Sequence, residues 1–358
     1  MSSFSWPGLQ DVEPQALGVS YWFAAAPDGD PYSVTVHISG RLDGEAPAGQ
    51  RDTFAVLATV DDVVPGSGRI AVTTRVADLP PGTWDVTATP VQRAPEGSPA
   101  PWVPADDPRL PSGTATGTTA FRPAIDVRAP GVRLGAWPVL VGTGAVLALA
   151  LQSLLASGLG LPVRSLLPLS LVACVLGLLG AKGYYLASHP RARRSLLTPG
   201  MSVQGFVIVA VATLLAGSIL LDLRWGAVLD ATAPGLLLGM TVGRLGCLLG
   251  GCCAGRPTSS RWGVWSSDRR LGVRRIPVQL LESALAGVVA TLALLAVLQL
   301  RTGGSGLVFV ASLAVYVAGR QLLFPLRDIP RATAHGRTIT LISASLVAVG
   351  SVTGLLAG

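Results

Sequence analysis

The chain has 358 residues, half of them hydrophobic and only 13% charged, with a mean hydropathy of +0.54. That balance excludes an ordinary soluble globular protein of this length. The net charge of +7 would suit a nucleic-acid partner. However, the arginines flank apolar segments, and no zinc-finger spacing, recognition-helix pattern or aromatic-basic ribbon accompanies them, so anionic headgroups explain the charge and no nucleic-acid partner is expected.

Residues 1–92 are polar and alternate in short runs. Tyr32 to Ile38, Thr53 to Ala58, Arg69 to Val76 and Trp84 to Thr89 each place apolar side chains on every second position. Short alternating strands with turn signals such as Pro80-Pro81-Gly82 predict a soluble β-sandwich, for which an immunoglobulin-like arrangement is one solution. With His37 as its only histidine and no cysteine, this domain offers no catalytic or metal-binding set. A module that presents a protein substrate and a passive cap are both compatible with it. Residues 93–130 are rich in Pro, Gly, Ser and Thr and read as a connector.

Residues 131–358 form the membrane domain. Seven apolar runs, near 136–157, 166–187, 203–222, 228–250, 277–299, 305–325 and 338–357, approach the roughly 20 residues that cross the hydrocarbon as a helix. The predicted fold class is therefore an α-helical polytopic membrane protein of seven transmembrane helices, carrying an N-terminal soluble β-sandwich. Pro168 and Pro234 inside these runs are tolerable where neighbouring helices cover the freed backbone groups.

Two signals bear on orientation. Met1 to Trp6 lacks the basic and apolar parts of a secretory signal. The loops near 188–202, 251–276 and 326–337 carry Arg191, Arg193, Arg194, Arg256, Arg261, Arg269, Arg270, Arg274, Arg275, Arg327, Arg331 and Arg337, against Arg164, Arg224 and Arg301 opposite. By the positive-inside rule, both signals predict a cytoplasmic β domain.

The most informative stretch is Gly243-Arg244-Leu245-Gly246-Cys247, which continues through Gly250-Gly251-Cys252-Cys253 to Gly255-Arg256-Pro257-Thr258. An arginine at bilayer depth costs about 3 kcal/mol on insertion scales and persists where it meets an anion or another polar partner. Glycines beside it would let a bulky ligand approach the guanidinium. The anion most available there is a phospholipid phosphate, and a planar fork binds two of its oxygens at once.

In order along the chain stand Gly135-Ala136-Trp137, Gly180 to Tyr184, Gly200-Met201-Ser202-Val203-Gln204-Gly205, Asp230 with Ala233-Pro234, the arginine-glycine stretch, Pro277 to Glu282, and Tyr316 with Arg320 and Arg327. From about residue 130 to 358 this series resembles the prolipoprotein diacylglyceryl transferase family. The resemblance implies a multi-pass cell-membrane transferase without cofactor. It would move a diacylglyceryl group from a phosphatidylglycerol-like phospholipid to a prolipoprotein cysteine or another acceptor, releasing glycerol phosphate. It also implies an active-site mouth and amino terminus on the outer face, opposite to the orientation read from the arginines. Two alternatives stay open: a paralogous glyceryl-lipid transferase with a different acceptor, and a non-catalytic lipid-binding membrane protein.

The resemblance carries catalytic roles onto Arg244, Arg320, Gln204 and Glu282, and substrate-binding roles onto Gly243, Gly246, Tyr316, Gln279, Arg327 and Lys182. Three positions depart from the family pattern. Gln204 stands where a histidine is usual and cannot take up a proton as a base. Cys247 replaces a common asparagine, and Lys182 replaces a frequent arginine, losing the bidentate fork.

Glu282 is a substitute base if burial raises its proton affinity, or an ion-pair partner for an arginine. His189 is a further candidate base. For Arg244, a pair with Asp230 is the structural alternative, and for Arg320 it is an interfacial snorkelling role. Tyr316, one turn before Arg320, is placed to meet the lipid glycerol or to pack.

The cysteines do not form a disulfide framework, and Cys247, Cys252 and Cys253 supply three thiols with no adjacent histidine, so no metal is expected. They read as small packing residues, or more sharply as a thiolate stabilised near Arg244.

Overall fold

The computed structural model describes residues 1–4, 9–10, 12–44, 49–94, 101–189, 200–299, 304–329 and 335–357. Of the arginines counted for orientation, Arg191, Arg193, Arg194, Arg301 and Arg331 lie outside the described residues. The chain divides into two compact units. One contains Met1–Val139, Leu245–Leu281 and Leu326–Pro330; the other contains Leu140–Arg244, Glu282–Pro325 and Arg331–Gly358.

The first unit is built on two antiparallel sheets. Strands β1 (Ser2–Ser3), β2 (Gln15–Ala24), β5 (Arg69–Ala77) and β9 (Ala120–Phe121) belong to one; β3 (Tyr32–Leu42), β4 (Thr53–Val63), β6 (Thr83–Arg93), β7 (Trp102–Pro104) and β8 (Gly113–Thr118) form the other, with order β4-β3-β6-β7 and β8 also on β6. Alternation along β3 sends Val34, Val36 and Ile38 inward, where they meet Leu17, Val19 and Tyr21 of β2 and the fully buried Trp84 of β6. This is the period-2 pattern of a half-buried strand, and it closes the core of the expected sandwich.

The stretch 93–130, expected as a connector, contains β7, β8, β9 and the short helix α1 (Arg122–Asp126). Its Thr, Gly and Ala residues are poor in apolar area, but β6 supplies a backbone template. Strand β8 pairs with it from Thr83↔Thr118 to Ala88↔Gly113.

A second difference is the segment 251–276. Strands β10 (Val264–Ser267) and β11 (Leu271–Arg275) form a hairpin there, and β11 pairs with β5 through Leu271↔Val72 and Gly272↔Ala71. The Trp265 indole stacks on Trp22 with ring centroids 5.8 Å apart, and its Nε1 donates to the Arg69 carbonyl at 2.8 Å. The Arg69 guanidinium lies 4.2 Å from the Trp22 ring centroid. A hairpin distant in sequence thus extends the first sheet to the order β1-β2-β5-β11-β10.

Seven helices are long and apolar enough to cross a membrane: α2 (Ala136–Gly158), α3 (Val163–Ser188), α4 (Val203–Leu220), α5 (Trp225–Leu249), α6 (Val278–Gln299), α7 (Leu307–Leu323) and α8 (Gly336–Ala357). A 3₁₀ turn, Phe324–Leu326, extends α7. These agree with the seven runs expected from the sequence. Close packing of α2 on α5 needs glycine at Gly144, since an added Cβ there would stand 2.7 Å from the Gly239 carbonyl oxygen.

The buried Asp230 of α5 holds the start of α7. Its Oδ2 accepts from the Gly306 N–H at 2.9 Å and its Oδ1 from the Phe309 N–H at 3.1 Å. A carboxylate at a helix N-terminus satisfies otherwise orphaned donors and opposes the dipole. We expect Asp230→Ala to cost about 2 kcal/mol, as for a lost cap with buried donors left unmet. Unfolding in detergent would read the loss, with faster amide exchange at Phe309; unchanged stability and exchange would show that α7 starts without this contact.

Candidate functional site

Three charged side chains meet in the second unit. Glu282 on α6 is fully buried. Its Oε2 lies 3.1 Å from Nε of Arg244 near the end of α5, and its Oε1 lies 3.6 Å from Nε of Arg320 in the last turn of α7. Each oxygen of one carboxylate thus faces a different guanidinium. Two cations and one anion leave a net positive charge, and the carboxylate sets the angle at which both arginines are held.

The sequence offered Glu282 as a base or as an arginine partner, and the structure places it in the second position. The alternative pairing of Arg244 with Asp230 is not the one formed. Arg244 is buried against Glu282, whereas Asp230 caps α7.

Tyr316 is also buried, packed with Leu237, Ala286, Val289 and Val308. Its hydroxyl has no hydrogen-bond partner among the described residues. A buried hydroxyl left unpaired costs about 1–3 kcal/mol. At Gly243 an added Cβ would meet only Val141, at 3.8 Å; Gly246 is buried one turn further along α5.

Gln204 is exposed in the first turn of α4 and makes no side-chain hydrogen bond to a described residue. The Lys182 ammonium on α3 lies 5.9 Å from the Tyr185 ring centroid. His189, the other candidate base, stacks on Tyr185 at the end of α3 with centroids 4.5 Å apart.

The first unit holds the remaining expected residues. Gln279 is buried and donates from Nε2 to the Cys252 carbonyl at 3.0 Å. Arg327 is buried, its backbone bridging Gly255, and its carbonyl accepts from Arg256 Nε at 3.4 Å. Both positions therefore organise the segment after α5.

The reading from sequence missed Arg275, one of the most deeply buried large side chains. It binds Asp328 at 2.7 Å, Asp268 at 2.8 Å and the Gly255 carbonyl at 2.9 Å. The available signal was Asp328 directly after Arg327, obscured by reading the arginine run as a charge bias alone.

Cys247, Cys252 and Cys253 converge, with sulfurs all within 4.8 Å of one another. The Cys252 thiol is pushed up from its ordinary range, first by hydrogen bonding with Cys247 and Cys253 and then by burial. Hydrogen bonding and burial thus favour the neutral thiol at Cys252.

Replacing Glu282 with alanine would leave two guanidiniums facing each other with no anion between them. We expect a loss of about 3–5 kcal/mol, the range for breaking a buried pair. A double-mutant cycle with Arg244→Ala, followed by unfolding in detergent, would show a coupling well above that of an exposed pair. Additive losses would show that the two residues do not act together.

A family model described as prolipoprotein diacylglyceryl transferase matches residues 125–356. Curated relatives named phosphatidylglycerol–prolipoprotein diacylglyceryl transferase are similar over part of the chain. The one from Dehalococcoides mccartyi is 32% identical over 125 residues, which are 34% of this chain and 47% of that protein. The one from Nitrosomonas europaea is 40% identical over 108 residues, 30% of this chain and 38% of that protein. A third, from Bacillus anthracis, is 30% identical over 127 residues, 32% of this chain and 47% of that protein. The chain thus spans about half or less of the length of the curated relatives it matches.

Proposed function

Because the chain belongs to the prolipoprotein diacylglyceryl transferase family, we propose that it transfers a diacylglyceryl group from a phosphatidylglycerol-like phospholipid to a cysteine thiol in the cell membrane. The observation that carries this reading is the pair of arginines held by one buried carboxylate among apolar helices.

In the reaction, the thiol sulfur attacks the glyceryl carbon that bears the phosphate ester. The C–S bond forms, the C–O bond breaks, glycerol phosphate leaves with the bonding electrons, and the thiol proton passes to the departing phosphate, directly or through water. Negative charge therefore grows on the phosphate oxygens as the transition state is approached. Preorganised cations lower that barrier most in a water-poor site, because they need not reorient as the charge develops. Arg244 and Arg320 supply those cations, and Glu282 is the positioning residue between them. Tyr316 supplies a hydroxyl for the lipid glycerol, and the space at Gly243 admits the headgroup. Gln279 and Arg327 support the segment that follows Arg244 in sequence.

One observation favours a second reading. Gln204 is exposed, makes no side-chain hydrogen bond among the described residues and is unable to accept the thiol proton as a histidine would. A glyceryl-lipid transferase whose acceptor needs no base at this position fits that feature. The two readings separate when purified protein is incubated with phosphatidylglycerol and a prolipoprotein-derived cysteine peptide. Thioether product supports peptide transfer, glycerol phosphate release without peptide modification supports another acceptor, and lipid binding without turnover supports a non-catalytic role.

Arg244→Ala should abolish turnover in a folded, membrane-inserted protein, and Arg244→Lys should restore part of it. The difference is the second phosphate oxygen that the guanidinium reaches and an ammonium does not. Loss of one transition-state donor of this kind costs about 100- to 1,000-fold in kcat. Turnover of the alanine variant near the parent rate would remove Arg244 from the chemistry.

A further inference from the structure

The segment after α5 holds three thiols for which the transferase chemistry has no use. Cys247 is buried in the last turn of α5, and the chain reverses through Gly250 and Gly251, where φ is +66°. The Cys252 N–H returns to the Cys247 carbonyl at 3.0 Å, and the Cys252 carbonyl accepts from Gln279 Nε2 at 3.0 Å. Adjacent residues in extended chain send their side chains to opposite sides. Cys253 instead has φ +55°, a left-handed conformation uncommon for a residue with a Cβ, and its sulfur joins the other two.

The resulting spacing suits a metal ion. Metal–sulfur bonds of about 2.3 Å place the sulfurs of one ion roughly 4 Å apart. All three sulfurs here already lie within 4.8 Å of one another, so closing onto an ion requires only side-chain adjustment. Among the described residues no histidine or carboxylate joins this group. Three soft donors without a fourth side chain suit a soft d10 cation better than zinc in a closed structural site, which takes four ligands. Binding exchanges three S–H protons for the cation, leaving a net negative centre. Earlier in the same turn, Arg269 Nε donates to the Gly250 carbonyl at 2.9 Å. A disulfide is the competing use of the same atoms, but a bridge between the adjacent Cys252 and Cys253 strains the backbone, and any other bridge leaves one thiol over.

We propose that Cys247, Cys252 and Cys253 form a three-thiolate site for one soft monovalent cation of the Cu(I) type. The test uses the full chain, reduced and kept anaerobic in detergent, titrated with Cu(I) against a chromogenic Cu(I) chelator. One equivalent should bind per chain, with a sulfur-to-metal charge-transfer band. Loading should protect the three cysteines from alkylation while leaving the reactivity of Cys174 unchanged.

Cys174→Ser should retain the site, and Cys252→Ser should weaken it by more than about 100-fold, beyond the usual effect of losing a supporting group around a metal. Because serine variants could be unfolded, alkylation of the parent protein is read independently of them. The proposal is overturned if the reduced parent fails to bind one equivalent, if loading leaves the alkylation of the three cysteines unchanged, or if the Cys247, Cys252 and Cys253 triple serine variant binds as the parent does.

Discussion

A carboxylate between two guanidiniums is the polar contact that ties three apolar helices of the second unit together. Glu282, Arg244 and Arg320 come from three helices that are otherwise apolar, and none of the three charges would be stable alone at that depth. Together they make two ion pairs on one carboxylate. The packing of α5, α6 and α7 and the angles at which the two guanidiniums are held are therefore one constraint viewed at two levels.

Asp230 shows how the same residue class can serve a different end a few turns away. It lies four residues before Pro234, which has no N–H to return to the Asp230 carbonyl. Its carboxylate meets backbone donors at the start of α7, a neutral but strongly oriented group. Glu282 meets formal charges. The first contact fixes where a helix begins, and the second fixes where guanidiniums point.

The helices were legible because apolar length is a local property. All seven observed spans fall within a few residues of the runs read from the sequence. Arg244 and Arg320 were legible as costly charges, and Glu282 as one of their possible partners, but the choice between Glu282 and Asp230 depends on helix packing. Other features depend on pairing between distant segments. The hairpin of β10 and β11 is concealed under arginines, and β8 needs the template of β6. Convergence of the three cysteines was not legible either, because it turns on the left-handed backbone of Cys253, where no glycine signals the turn.

The hairpin also alters how the arginines bear on orientation. Arg275 and Arg327 are buried, Arg275 in ion pairs, and Arg269 holds the Gly250 carbonyl, so these three serve the fold of the first unit rather than a headgroup layer. A count of loop arginines weights them as topological when their local partners already account for them. The sheet supplies a firmer constraint. Strand β11, from the segment between α5 and α6, pairs with β5 of the amino-terminal domain, so both segments occupy one side of the membrane. Four spans, α2 to α5, separate them in the chain, and an even number of crossings returns the chain to the side on which it started. The side taken by the β domain is therefore also the side of the segment that follows Arg244 and carries the cysteines. Orientation of the β domain and of that segment is thus a single question.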